Sequence, residues 1–396
     1  MEEERRDVTL QLPADVKDRI LEGLDTRDAA RTSVLATHWK GVWPRHGKLV
    51  FDPYFFTFVP NNPFKVISDI LASRAGPVKK FELQSDFDPI PPQSDLDRWG
   101  LFLSTNGLEE LNISLLARMK RLVLPAAIFS CPTLRVLYVE GLVSDCPNLV
   151  NGQMTLPCAV SMGFESVIFR SGYVKGDAVS IAPELEKLFF NDCFGVNGFL
   201  VNAPKLVRLS VTGSELDKVQ TKWIMPHLTS IQSLTFSITK LWCEDVAECI
   251  PTFPTAINLD VINLYGFDST CEKCVAFVMT LIKKSPNLRQ LHISGALEGV
   301  FDDWGTERET AEDSKVLEGA KDYMANLNLN MLENVKLNWF GGNLVEMYFV
   351  KALLLGSPAL DKVVIQLRGR HIDQYKLQNQ LLKLPRASEK AQIVFK

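Results

Sequence analysis

From residue 78 onward one arrangement of apolar positions recurs: an apolar residue, two others, an apolar, one other, an apolar. It appears at Val78/Phe81/Leu83, Leu108/Leu111/Ile113, Leu134/Leu137/Val139, Phe164/Val167/Phe169 and Leu185/Leu188/Phe190. It continues at Leu206/Leu209/Val211, Ile231/Leu234/Phe236, Leu259/Ile262/Leu264, Leu288/Leu291/Ile293, Leu332/Val335/Leu337 and Leu360/Val363/Ile365. Alternation at the end of each unit predicts a short strand with one buried face. Proline precedes the first leucine by two residues at Pro132, Pro183, Pro204, Pro286 and Pro358. Proline cannot donate within a sheet, so it marks the entry to a strand. Gly141, Gly213, Gly266 and Gly295 follow the strands and permit a sharp turn out. A strand with its return segment cannot bury its apolar face alone, so neighbouring units must stack.

The later units carry helices. Val275, Val278, Leu281, Ile282, Ser285, Pro286, Leu288, Leu291 and Ile293 recur seventy-two residues on as Met347, Val350, Leu353, Leu354, Ser357, Pro358, Leu360, Val363 and Ile365. A helix, a Ser-Pro break and a strand therefore repeat together. Phe301–Lys315 is acidic and polar, interrupts the pattern, and reads as a flexible surface loop. Ile393-Val394-Phe395 reads as a last, capping strand. The arrangement resembles an irregular leucine-rich repeat, with the asparagine-or-cysteine position of the regular motif matched only by Cys193. The C-terminal stretch resembles an FBD region. It comprises Leu332–Leu337, a helix over Leu344–Leu355 and a strand over Leu360–Gln366, and the likeness covers roughly residues 325 to 396.

The first fifty residues differ in kind. Pro13 suits a first helical turn, and Val16, Ile20 and Leu24, with Leu21 beside them, form an apolar stripe. Thr26 can cap a second short helix. Thr32 or Ser33 can cap a third, carrying Val34, Leu35, His38, Trp39, Val42 and Trp43 until Pro44 ends it. A core that small is marginal alone, and its surplus of apolar surface needs the rest of the chain or another protein. The run Leu12-Pro13-x-x-Val16-x-x-x-Ile20-Leu21-x-x-Leu24, then Thr26–Leu35, then Trp39-Lys40-x-x-Trp43, with Leu49-Val50-Phe51-Asp52 trailing, resembles a plant F-box. Ala36-Thr37-His38 departs from the serine and two basic residues usual there. The resemblance implies docking onto the Skp adaptor of a cullin–RING (SCF) ubiquitin ligase through Leu12, Pro13, Val16, Ile20, Leu21, Leu24, Val34, Leu35, Trp39 and Trp43. The plainer alternative is a helical cap for the repeats.

A net charge of −4 and a pI near 5.9 give no electrostatic case for nucleic acid. No run of apolar residues is long enough to span a membrane, and Met1–Asp7 lacks the apolar run of a signal peptide. The expectation is a cytoplasmic or nuclear protein whose eight scattered cysteines are reduced buried thiols. Asn112-Ile113-Ser114 is a formal glycosylation sequon inside an expected strand. His38, His46, His227, His292 and His371 form no metal-binding pair. Cys271-Glu272-Lys273-Cys274 is a lone CxxC, short of the four ligands zinc needs, and reads as a helix start with Cys274 buried. Gly341-Gly342-Asn343 reads as a turn before a helix rather than a phosphate loop, and Glu109-Glu110 has no acid–base partner. No catalytic site, metal or cofactor is expected.

The fold expected is α/β: a three-helix F-box followed by an irregular leucine-rich-repeat solenoid with a curved parallel sheet. The divisions are 1–52 for the adaptor-binding helices, 53–324 for the solenoid and 325–396 for FBD-like terminal repeats and cap. Residues between and after the core apolars face the concave side. There Tyr138, Glu140, Lys187, Phe189, Arg208, Tyr265, His292 and Lys336 are candidate contacts for a target protein, or they simply pack against neighbouring loops. By resemblance the chain is a substrate receptor of an SCF-type ligase, bridged to cullin by the adaptor. A repeat scaffold without ligase function and a small-molecule co-receptor remain alternatives.

Overall fold

A computed structural model describes residues 11–35, 37–59, 61–85, 90–115, 122–145, 153–170, 179–196, 200–213, 227–238, 254, 257–295, 311–368 and 374–396. Two compact units divide the chain: 1–185 with 193–203, and 186–192 with 204–396.

The first unit opens with helices α1 (Ala14–Glu22) and α2 (Thr26–Leu35), strand β1 (Lys48–Phe51), then α3 (Pro53–Phe58) and α4 (Pro63–Ala72). Strand β2 (Lys80–Ser85), helix α5 (Gln93–Thr105), β3 (Glu110–Leu115), β4 (Val136–Glu140), β5 (Val143–Asp145), β6 (Gln153–Thr155), β7 (Ser161–Glu165), β8 (Ile168–Arg170) and β9 (Val179–Ile181) follow. Strands β1, β2, β3, β4 and β7 lie side by side, all parallel and in chain order. Parallel neighbours require a crossover between them, and the return segments supply it, so each repeat adds one strand to the sheet. The buried positions are the recurring apolars: Phe81, Leu83, Leu111, Ile113, Leu137 and Val139 are each at most 4% exposed. Burial of each such side chain stabilises the fold by roughly 1.5–3 kcal/mol.

Two features of this sheet differ from the sequence pattern. It starts one repeat early, because Leu49 and Phe51 of β1 pair in register with Phe81 and Leu83. The leading core position of that repeat, equivalent to Val78, is occupied by buried His46, which hides the pattern. The frame around residue 164 also shifts. Met162 and Phe164, not Val167 and Phe169, align with Leu137 and Val139. Small Ala159 is therefore the leading core residue, 25 after Leu134 and 26 before Leu185, and the repeat is more regular than its apolar spacing. Val167, just before β8, and Phe169, within it, are buried, and β8 pairs with β5.

The second unit takes β10 (Lys187–Asn191), while β11 (Leu200–Asn202) pairs with β9 in the first. Its sheet runs through β12 (Arg208–Thr212), β13 (Ser233–Ser237), β14 (Val261–Phe267), β15 (Gln290–Gly295), β16 (Asn334–Phe340), β17 (Lys362–Leu367) and β18 (Gln392–Phe395). All are parallel and in chain order. Helices α6 (Glu272–Lys283), α7 (Ala311–Met324), α8 (Leu344–Gly356) and α9 (Gln374–Leu382) alternate with the later strands. The helix, Ser-Pro and strand unit repeats as expected: Ser285 and Ser357 are fully buried at the breaks after α6 and α8. Gly266 does not follow its strand but sits inside β14, at the register shift between Tyr265 and Phe267, with φ +74°, where a Cβ would lie 2.5 Å from the Ile238 carbonyl oxygen.

Three expectations are corrected. Among the described residues the expected third N-terminal helix does not form as an α-helix. Its segment forms single 3-10 turns at Thr37–Trp39 and Trp43–Arg45, separated by Gly41, with Pro44 unable to continue an α-helical ladder. The expected loop Phe301–Lys315 ends early, since 311–315 belong to α7; acidic residues suit a helical first turn as well as a loop. The remainder, 301–310, lies outside the described residues, as does His371. The cysteines are not uniformly buried thiols either. Cys131 and Cys193 are buried thiols, but Cys158 is exposed, and Cys274 is disulfide-bonded.

Candidate functional site

The N-terminal helices fold onto the first repeat rather than standing apart. Asp25, not Thr26, caps α2, accepting from the Asp28 N–H at 2.7 Å. Thr26 is instead buried, and its hydroxyl oxygen accepts from the Val50 N–H of β1 at 2.7 Å. Lys48 reaches back to the carbonyl of Glu22. Arg74, just after α4, spreads its guanidinium 4.4 Å above the Trp43 ring and donates to the carbonyls of Trp43 and His46. Burial pulls the Arg74 pKa down to about 10, still fully charged at neutral pH. Burial likewise lowers the His46 imidazole, opposed by Asp18 and Glu22 and assisted by Arg74 and Lys48.

This packing sorts the ten residues expected to face an adaptor. Leu21, Trp39 and Trp43 lie inside, at 0%, 6% and 8% exposure, with their surfaces already taken by this chain. Leu12, Val16 and Leu24 are half-buried and Pro13 is exposed. Ile20, Val34 and Leu35 face outward at 40%, 83% and 78%. Two more apolar side chains, absent from the sequence reading, stand outward on α3: Tyr54 at 74% and Phe58 at 53%. They sit one turn apart, with ring centroids 6.5 Å from each other, and the Arg27 guanidinium of α2 lies 4.0 Å from the Phe58 ring. Their i, i+4 spacing after Pro53 was the available signal. Outward apolar side chains on adjoining short helices are what a protein partner would cover.

The strand-face candidates fall on both units. In the first, Tyr138 donates to Glu165 at 2.5 Å and Ser114 to Glu140 at 2.5 Å. Burial first, and the bond to Glu165 second, push the Tyr138 phenol well above its usual range. Tyr138 and Glu140 are thus engaged in cross-strand bonds. In the second unit, Lys187 and Arg208 are in register on adjacent strands, with Phe189 on the same face. Tyr265, His292 and Lys336 come together further along. The Tyr265 ring stands edge-on to His292 at 5.5 Å, and Asn338 shares a 2.9 Å hydrogen bond with His292 Nε2. Burial, and then the Lys336 cation, lower the His292 pKa.

The turn Gly341-Gly342-Asn343 holds no anion site of its own, because Glu346 fills it. The Glu346 carboxylate accepts from the N–H groups of Gly341, Gly342 and Asn343, while Asn343 caps α8 through the Glu346 N–H. Burial raises the Glu346 pKa, against the pull of those donors and of Ser269. Among the described residues no group of histidine, cysteine and carboxylate side chains is arranged to hold a metal ion, and no helix is long and apolar enough to cross a membrane.

Comparison with known proteins agrees with this architecture. The repeat model of the FBD-associated F-box protein At5g56370, LRR repeats, matches residues 96–246. The F-box/FBD/LRR-repeat protein At1g13570 of Arabidopsis thaliana is 29% identical over 99% of both chains. The FBD-associated F-box protein At5g22730 of the same plant is 22% identical, over 98% of this chain and 94% of its own. From end to end, then, the chain is similar to the F-box/FBD/LRR-repeat proteins of Arabidopsis, and its resemblance to plant F-box/leucine-rich-repeat proteins with a C-terminal FBD-like region is borne out.

Proposed function

We propose that this chain is the substrate-recognition subunit of an SCF-type ubiquitin ligase. The observation that carries the reading is the outward apolar set Ile20, Val34 and Leu35, on helices that follow the F-box pattern, in a chain whose relatives are F-box/FBD/LRR-repeat proteins. Residues 1–52 dock the Skp adaptor, and through it cullin. Residues 53–324 and the FBD-like end at 325–396 hold a target protein by their strand faces. The chain supplies no catalytic side chain. It acts by proximity, raising the effective concentration of a target near a charged ubiquitin-conjugating enzyme, in the cytoplasm or nucleus.

Calorimetric titration of the purified full chain with a Skp-type adaptor tests this. One-to-one binding is expected. A folded chain that gives no heat and no co-elution with adaptor is a repeat scaffold instead.

A further inference from the structure

The two strand faces differ in charge and in what their charges do. In the first unit the non-core face positions carry Glu82, Glu110, Glu140 and Glu165, and each is engaged. Lys80 lies 3.9 Å from Glu82 and 3.4 Å from Glu110, while Glu140 and Glu165 accept the Ser114 and Tyr138 hydroxyls. In the second unit the same positions, in register from β10 to β17, contain no aspartate or glutamate at all. They contain Lys187, Arg208, Lys336 and Lys362. Among the described residues none of these four makes an ion pair. Phe189 and Tyr265, each 37% exposed, stand on the same face.

Unpaired cations gathered on one face gain little within the fold, since like charges repel at short range. They gain when a partner brings carboxylates, which steer encounter and fix register. Exposed aromatics among them supply apolar contact. Arg208 and Lys362 are five strand steps apart, about 24 Å at ~4.8 Å per step. A chain laid across the strands covers that distance with about seven extended residues.

We propose that the strand face of the second unit binds an extended, carboxylate-rich segment of a partner protein, with acidic residues meeting Arg208, Lys336 and Lys362 and an apolar side chain meeting Phe189 or Tyr265. This rests on the strand face being the target-binding face, and it names the chemistry of the target. The first unit's face, its charges spent internally, contributes little to that capture.

The test is fluorescence anisotropy of the full chain with a labelled peptide in which glutamates alternate with serine around a central phenylalanine, against the same peptide with glutamine for glutamate. The glutamate peptide binds, binding weakens with added salt, and the glutamine peptide binds at least about tenfold more weakly. R208E with K336E lowers affinity at least about tenfold, R208Q with K336Q lowers it less, and R135E, before β4 in the first unit, leaves it unchanged. Equal binding of both peptides, or unchanged affinity in R208E/K336E, overturns the proposal. So does polyphosphate binding at these residues more tightly than the peptide, which would make the ligand a phosphate. Adaptor binding is measured on the same proteins. R208E/K336E retains it, and an intact chain that binds the peptide but no adaptor sinks the ligase reading alone.

Discussion

The Arg74 guanidinium lies over the Trp43 ring at 4.4 Å and donates to the Trp43 carbonyl, joining the end of the first repeat's helix to the last turn of the N-terminal segment. The N-terminal helices and the first repeat therefore share one core. Removing residues 1–50 would take away nearly all of β1 together with Trp43, so truncation cannot separate docking from folding. Point substitutions can.

Arg74→Ala is expected to destabilise the first unit by about 2–3 kcal/mol. It removes a stacked cation and leaves two carbonyl acceptors without their charged donor. Arg74→Lys restores only part of this, because an ammonium lacks the planar fork. Urea unfolding followed by tryptophan fluorescence measures both.

His46 imposes a pH dependence with a definite sign. Burial holds its folded pKa below the ordinary 6.5, so the unfolded chain binds the proton more readily. The stability tied to neutral His46 is complete above pH 6.5 and is lost as pH falls through the folded pKa. His46→Leu places an aliphatic side chain where Val78 stands in the next repeat. Its melting temperature should fall less between pH 7.5 and 5 than that of the parent chain, as thermal scans across that range would record.

Gly266→Ala should cost about 2 kcal/mol or more, since φ +74° is unfavourable for alanine and the new methyl meets the Ile238 carbonyl. Gly295→Ala, at a position without positive φ, is expected to cost less. Chemical denaturation of the two variants side by side checks the contrast.

The strands of the repeats were legible because three apolar residues recur in fixed order and every one of them must be buried. The misses follow the same logic. A histidine in the leading core position conceals the repeat at β1, and a small alanine at 159 leaves Phe164 looking like the start of its triplet. Inside and outside were harder to separate in the N-terminal segment. Leu21, Trp39 and Trp43 are as apolar as Val34 and Leu35, and only the packing of Arg74, Thr26 and β1 decides which are spent on the fold. Tyr54 and Phe58 lie beyond the F-box pattern, which therefore does not mark them. The strand-face residues alternate with the buried apolars, but the pairing of Tyr138 with Glu165 depends on register between repeats, which apolar spacing alone does not fix.

Val34→Asp with Leu35→Asp is the most direct test of the central claim. Both side chains are more than three-quarters exposed on α2, so the double variant should keep the circular dichroism and melting temperature of the parent. Measured by calorimetry against a Skp-type adaptor, it should lose binding by at least about a hundredfold, or roughly 2.7 kcal/mol. Full adaptor affinity in that folded variant would contradict the assignment of this face, and with it the reading of the N-terminal helices as the ligase-docking element.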